Sequence, residues 1–331
     1  MEVLNRSRAG TLLASICLAV PMLLSAGVAQ AQNYPNKPIR LIVPYPPGGG
    51  VDTAARLIEQ PLAKRLGQPI VIENKPGASG TIGTTVATQE KPDGYTLLLA
   101  SSGPHALAPH LFKRIDFDPI KDFSFIGLIY NAPTFLVVPT DSPFKTSQEL
   151  IDYAKANPDK LNYGSSGIGS GQNIGVNMLM DAAGFKAVHI PYKGTGPMLT
   201  ALVAGQIDFS VDMPTCLPFV QAGKMRVLGV ASKSRNAALP DITTLDEQGI
   251  PGVYASNYYG IAAPANTPKE IVDRINKEIN EILQSDEMRT RLEKMGVEAG
   301  KGTPEEFTAF VVDQHKLHGE LFTKIGIEKI D

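Results

Sequence analysis

The chain has 331 residues, 43% hydrophobic and 19% charged, with a formal net charge of −2. That balance excludes electrostatic steering to nucleic acid or to an anionic membrane surface, both of which need a basic excess. Only two cysteines are present, and the first lies in an N-terminal leader, so apolar burial rather than a disulfide must stabilise the rest.

The leader comes first. Arg6 and Arg8 form a basic start, residues 11–28 are uncharged and mostly apolar, and Ala29-Gln30-Ala31 has the small-x-small pattern of a cleavage site. This predicts a secretory signal peptide, residues 1–31, cut after Ala31. Pro21 and the cleavage pattern argue against a retained membrane anchor, and the bulky Ile16 before Cys17 argues against a lipoprotein. The mature chain, residues 32–331, would carry 29 basic and 32 acidic residues and reside in a periplasm.

Beyond the leader, β-rich runs alternate with helical patterns. Strands are expected at 39–43, 70–73, 95–100, 135–138, 188–191, 207–211 and 226–231. Thr146 with Glu149, Thr267 with Glu270, and Thr303 with Glu306 have capping-box spacing, and Pro304 suits a first helical position. Ile271, Ile275, Ile279 and Ile282 fall on one helical face, and Gly296 ends the following helix. This alternation predicts an α/β protein with mostly parallel sheets covered by helices on both faces. The last three helices, from Thr267 to about Leu321, lack clear strands between them. They are expected to return onto the first domain while the middle of the chain forms a second.

Three glycine-rich loops stand between a strand and a helix. The first is VPYPPGGGVDTAAR, 43–56; the second LNYGSSGIGSGQN, 161–173; the third HIPYKGTGPMLTALVAG, 189–205. The first is no phosphate motif. No Lys-Ser or Lys-Thr follows its glycines, and Thr53 occupies the last glycine position of a dinucleotide fingerprint beginning at Gly48. In parallel α/β sheets such loops gather at the carboxyl edge of the strands, where ligands bind. Three helix starts facing one cleft would favour a small anion, each by roughly 0.3–1 kcal/mol. Ser165, Ser166 and Ser170 add hydroxyl donors, and Lys193 is the one cation ahead of the helical part of these stretches. A carboxylate, with about four lone-pair sites, matches such donors. Asp52 is expected either to cap the helix after the glycines or to accept from a ligand hydroxyl, amine or water.

These loops, together with LGQPIVIENKPGASGTIG and the late stretch LPDITTLDEQGIPG…YYGIAAPANTPKEIV, resemble the Bug-type periplasmic solute receptors of the tripartite tricarboxylate transporters, in the same order along the whole mature chain. The resemblance implies a type II-like periplasmic-binding-protein fold. Domain 1 would comprise 32–132 plus 254–331 and domain 2 would be 133–253, with hinge crossings near 132–137 and 251–259. It implies a small di-, tri- or aromatic carboxylate held by domain closure, a two-subunit membrane permease as transient partner, a monomer, and neither cofactor nor metal. Tyr45, Pro46, Pro47, Gly48, Gly49 and Asp52 match the family's first ligand loop, and Ser101, Ser102 and His105 a loop lining the same cleft. Ser165, Ser166, Gly169 and Ser170 match the second-domain loop, Lys193 and Gly194 the third, and Asp212 a later strand end. Asn173 stands where many relatives have histidine, and Tyr258 where many have tryptophan.

Plainer roles are available for several of these residues. His105 is expected either to touch a ligand or to make one structural hydrogen bond. His315 and His318 are expected on a solvated helix face, Cys216 as a small buried group, and Met178, Met180, Phe185, Met198 and Leu199 as packing. Tyr258 and Tyr259 either wall an aromatic ligand or pack near a hinge. No serine has glycines at both −2 and +2, no HExxH is present, and the five histidines look scattered. A hydrolase is therefore the weaker alternative. A partner of a membrane sensor kinase, presenting the same ligand, would have the same sequence features.

Overall fold

The computed structural model describes residues 34–324, Gly326 and Lys329. The leader and its cut lie outside the described residues. No described helix is long and apolar enough to cross a membrane.

The first sheet has six strands. β1 (Ile39–Val43), β2 (Ile70–Asn74) and β3 (Thr96–Ser101) are joined by helices α1 (Gly50–Leu66) and α2 (Thr81–Thr88), whose crossovers return the chain in the same direction. β4 (Phe123–Ala132) continues into β5 (Thr134–Pro139) of a second sheet, with Pro133 between them. The chain comes back through β10 (Asn257–Pro264), which inserts antiparallel between β3 and β4, and β11 (Glu298–Ala299) adds antiparallel at the edge.

In the second sheet β5 lies between β8 (Ser210–Asp212) and β9 (Met225–Ala231), antiparallel to both. β6 (Asn162–Ser165) and β7 (Val188–Pro191) form a parallel pair, tied to Phe209, the residue just before β8, by an isolated bridge from Tyr163. The expectation of mostly parallel sheets is thus corrected. A segment that enters a sheet from the other half of the molecule arrives from the far end, and apolar runs carry no information on direction. The strand expected at 207–211 is also shifted to Ser210–Asp212.

Helices cover both faces of the first sheet. Ile271, Ile275, Ile279 and Ile282 of α8 (Lys269–Leu283) share one core with α1 and the inward residues of β1, β3 and β4. On the opposite face Phe123, Phe125 and Tyr258 pack with Phe307 and Val311 of the last helix, α10 (Pro304–Lys324). The far end of α10 leaves that core. Leu321 and Phe322 join the second sheet's core, with α4 (Ser147–Ala156) and α5 (Gly171–Ala183).

Two capping boxes form as spaced. Thr146 accepts from the Glu149 N–H, and Glu149 accepts from the Thr146 N–H. Thr303 and Glu306 do the same at 3.2 and 2.9 Å. The third does not form, because Pro268 takes the cap position and leaves Thr267 one residue too early; its hydroxyl donates to Pro264 O at 2.8 Å instead.

The histidines need a larger correction. His110 and His315 lie 4.5 Å apart between ring centroids, His315 Nδ1 is 3.0 Å from His105 O, and His318 is buried. Four of the five are gathered where α10 crosses the segment 103–111, because the helix returns along the back of both sheets. Cys216 is buried as expected.

Candidate ligand cleft

The first loop leads from β1 into α1. Gly48 takes φ +84°, a left-handed conformation that favours glycine, and Gly49 is the helix cap without any side-chain bond. The N–H groups of the first turn are therefore left open at Gly50 and Val51, which line the cleft. Asp52 is not the cap. It is the third helical residue and bends back to support the loop. Its carboxylate accepts from the Gly48 N–H at 2.9 Å, Arg56 Nε at 2.8 Å and Asn74 Nδ2 at 3.0 Å. Burial pushes this carboxyl upward, but those bonds outweigh it and hold it down to about 2. With its lone pairs engaged, Asp52 shapes the first loop without facing the cleft.

Tyr45 Oη donates to Ser79 O at 2.7 Å and closes one wall beside Gly103, where any side chain would collide with it. Pro46 and Pro47 are exposed and set the loop's path, whereas Gly48 and Gly49 line an outer part of the cleft.

The second loop joins β6 to α5. Ser170 caps α5 by accepting from the Asn173 N–H, and Asn173 Oδ1 accepts from the Gly169 N–H at 3.1 Å. Asn173 Nδ2 also donates to Tyr163 Oη at 3.0 Å, so this residue braces the loop from behind. Ser165 turns away from the cleft, buried beside His189. Ser166 faces the cleft, and its hydroxyl donates to Gln172 Oε1 at 2.7 Å.

Gln172 is the centre of a buried network. Its Nε2 donates to Thr195 Oγ1 and to Asp212 Oδ1, both at 3.0 Å, and Thr215 donates to Asp212 Oδ2 at 2.8 Å. Burial raises the Asp212 carboxyl to about 6, although bonds from Gln172, Thr215 and the Met213 N–H pull the other way. Asp212 thus anchors Gln172 from below. Lys193 points to solvent outside the cleft. Gly194, at φ +113°, caps α6 (Thr195–Val203) and lets Thr195 reach Gln172.

Ser101 ends β3 under the cleft and Ser102 follows it as the cap of the next turn. Ser101 Oγ is buried with no hydrogen-bond partner within bonding geometry among the described residues, while Ser102 donates to Asn257 Oδ1 at 2.5 Å. His105 is not in the cleft. It is fully buried edge-on against Phe123 and Phe125, with Nδ1 donating to Pro119 O at 2.8 Å, and burial lowers the imidazole to about 4, leaving it neutral. Tyr258 faces the opposite core and packs on Phe310, whereas Tyr259 reaches the cleft by strand alternation.

The resulting inner chamber has a volume of about 340 Å³ and draws its walls from both sheets. Among the described residues its lining holds hydroxyl, amide and backbone N–H groups, and no ionisable side chain other than the phenols of Tyr45 and Tyr259. A second chamber of about 430 Å³ lies beyond Met213 and reaches Gly48, Gly49 and Lys294. Asn257, Gln172 and Met213 were missed as site residues, whereas Tyr259, expected either to wall a ligand or to pack near a hinge, lines the chamber. Only Gln172 carried a sequence signal, as a first-turn residue of the helix after the second glycine loop.

Residues 54–327 match the family model described as "Tripartite tricarboxylate transporter family receptor". The chain is 32% identical to the protein BugT of Bordetella pertussis over 295 residues, covering 88% of this chain and 90% of that one. Among solved structures it is similar to R. palustris Rpa4515 with adipate, at a TM-score of 0.81 and 31% identity, covering 90% and 100% of the two chains. It is also similar to MatC from Rhodopseudomonas palustris with bound malate, at a TM-score of 0.75 and 32% identity, covering 87% and 99%.

Proposed function

The chain belongs to the tripartite tricarboxylate transporter receptor family, and as a member of it, we propose, it works as a periplasmic receptor that closes two domains on a small carboxylate. The single observation that carries this reading is the inner chamber between the starts of α1 and α5, rich in N–H and hydroxyl donors and, among the described residues, lined by no carboxylate side chain. A negative ligand gains from both helix ends and meets no like charge there. The adipate and malate seen in two relatives fall in the same chemical class.

The closing bodies are 32–132 with 254–331, and 133–253, joined where β4 passes into β5 and where β9 returns to β10. Loop one holds a carboxylate first, and closure brings Ser166, Ser170 and the α5 N-terminus onto it. The closed receptor, acting as a monomer without covalent chemistry, is then recognised by a two-subunit membrane permease.

The test is thermal unfolding of the refolded, ligand-stripped chain against mono-, di- and tricarboxylates, aromatic acids, amino acids, sugars and nucleotides. A ligand at about 100 times its Kd stabilises by about 2.7 kcal/mol, a rise of several degrees. A response confined to carboxylates is expected. A flat response to acids beside a clear response to sugars or nucleotides would overturn the assignment.

A further inference from the structure

The two chambers share Gly50, Tyr259 and Met213. Gly50 is backbone, and Tyr259 is packed in the core against Tyr130 at 4.9 Å, so Met213 is the one movable part of the partition. Its sulfur has unusual company. Asn257 Nδ2 donates to it at 3.1 Å and Tyr259 Oη lies 3.8 Å away. A thioether is a weak acceptor, and an amide and a phenol at a half-buried site ordinarily bond an oxygen. With Ser102 bonded to Asn257 Oδ1, the amide nitrogen is left to the sulfur, and the Ser101 hydroxyl lines the same inner chamber.

We propose that Met213 is the specificity gate of the cleft: its sulfur holds the place of a ligand oxygen between Asn257 and Tyr259, and its swing joins the two chambers into one slot. Methionine suits the part, having three rotatable bonds and a shape that refills irregular space. A short acid sits in the inner chamber with Met213 in place. A longer one displaces the thioether, takes the Asn257 and Tyr259 donors, and extends towards Lys294, the one basic side chain among the described residues lining either chamber.

The inference rests on the carboxylate-receptor reading, and one experiment separates the two. Straight-chain dicarboxylates from succinate to sebacate are titrated calorimetrically into the wild-type chain, Met213→Ala and Met213→Leu, with folding checked by thermal unfolding. Met213→Ala is expected to raise affinity for sebacate relative to succinate by about tenfold or more, as additional methylenes enter a permanently joined slot. Met213→Leu keeps the bulk and is expected to keep the wild-type ratio. Met213→Gln, placing an amide oxygen where the sulfur was, holds the Asn257 and Tyr259 donors more firmly and is expected to weaken sebacate while leaving succinate near its wild-type affinity. If wild type binds acids but the ratio is unchanged in Met213→Ala, the gate is overturned and the receptor reading stands. If wild type binds no acid, the receptor reading fails and the gate falls with it.

Discussion

Ser165 Oγ lies 2.6 Å from His189 Nε2, and the imidazole stacks on Tyr163 with ring centroids 4.8 Å apart. The serine also accepts from the Gly167 N–H at 3.1 Å and lies 2.9 Å from Gly167 O, so one hydroxyl proton has two acceptors within reach. It is a loop tie on the side away from the cleft. Ser165→Ala is expected to cost about 1–2 kcal/mol in denaturant unfolding while changing ligand Kd by less than about tenfold. Ser166→Ala, on the cleft wall, is expected to weaken binding more. Ester hydrolysis abolished by Ser165→Ala would instead revive the hydrolase alternative.

At Gly50 a Cβ would come 2.8 Å from Tyr259 Oη, next to the open first turn of α1. Gly50→Val is expected to lower carboxylate affinity by about a hundredfold, the worth of one or two charge-assisted bonds. At Gly48 a Cβ would meet open space but the φ of +84° would be strained, so Gly48→Val loses binding through a displaced loop. Both chains should keep their far-UV spectra. Wild-type affinity in either would remove the first loop from the site.

Asp212 makes a pH prediction with a definite sign. Its folded value of about 6 lies above the ordinary 3.8, so the native state retains a proton that the unfolded chain has lost between those values. Its contribution therefore becomes less favourable as pH rises from about 4 to 6, by about 3 kcal/mol when complete. Asp212→Asn, whose amide Thr215 and Gln172 can still bond, should remove that slope. Chemical unfolding of both chains at pH 4 and pH 8 measures it, and parallel pH profiles would contradict the buried network.

Asp52 acts in the opposite direction. Its folded value of about 2 lies below 3.8, so its stabilisation is complete above pH 4 and is lost as pH falls towards 2. Asp52→Asn should flatten the acid limb of stability and weaken ligand binding even at pH 7, because the Gly48 N–H loses its anionic acceptor. A binding constant unchanged at neutral pH would show that the loop holds its shape without the carboxylate.

Cys216 is fully buried, and burial raises its thiol well above the ordinary range. Ellman's reagent should modify it in the native chain at least about a thousandfold more slowly than in urea. Rapid native labelling would place the thiol at the surface and contradict the core around β5 and β9.

Much of the fold was legible because it is local. The strands 39–43 and 188–191, the Ser170 helix start and two capping boxes depend on neighbours within a few residues. The site was less so. Whether Ser165 or Ser166, and whether Tyr258 or Tyr259, faces the cleft turns on a single step of strand register. Asn257 meets Ser102 across 155 positions and Met213 across 44, distances over which a lone sequence carries no pairing signal. Strand direction failed for the same reason, since β10 joins β3 and β4 only after the chain has built another sheet.

The last helix belongs to both halves. Phe307 and Val311 are rooted beneath the first sheet, Leu321 and Phe322 beneath the second, and Lys324 bonds Asp181 at 2.5 Å. Two strand crossings alone would act as a door hinge; a stiff rod nailed to both leaves turns that hinge into a spring. In the proposed closing motion, opening would have to twist that rod, so the resting gape would be set at the back of the molecule, on the far side from the cleft.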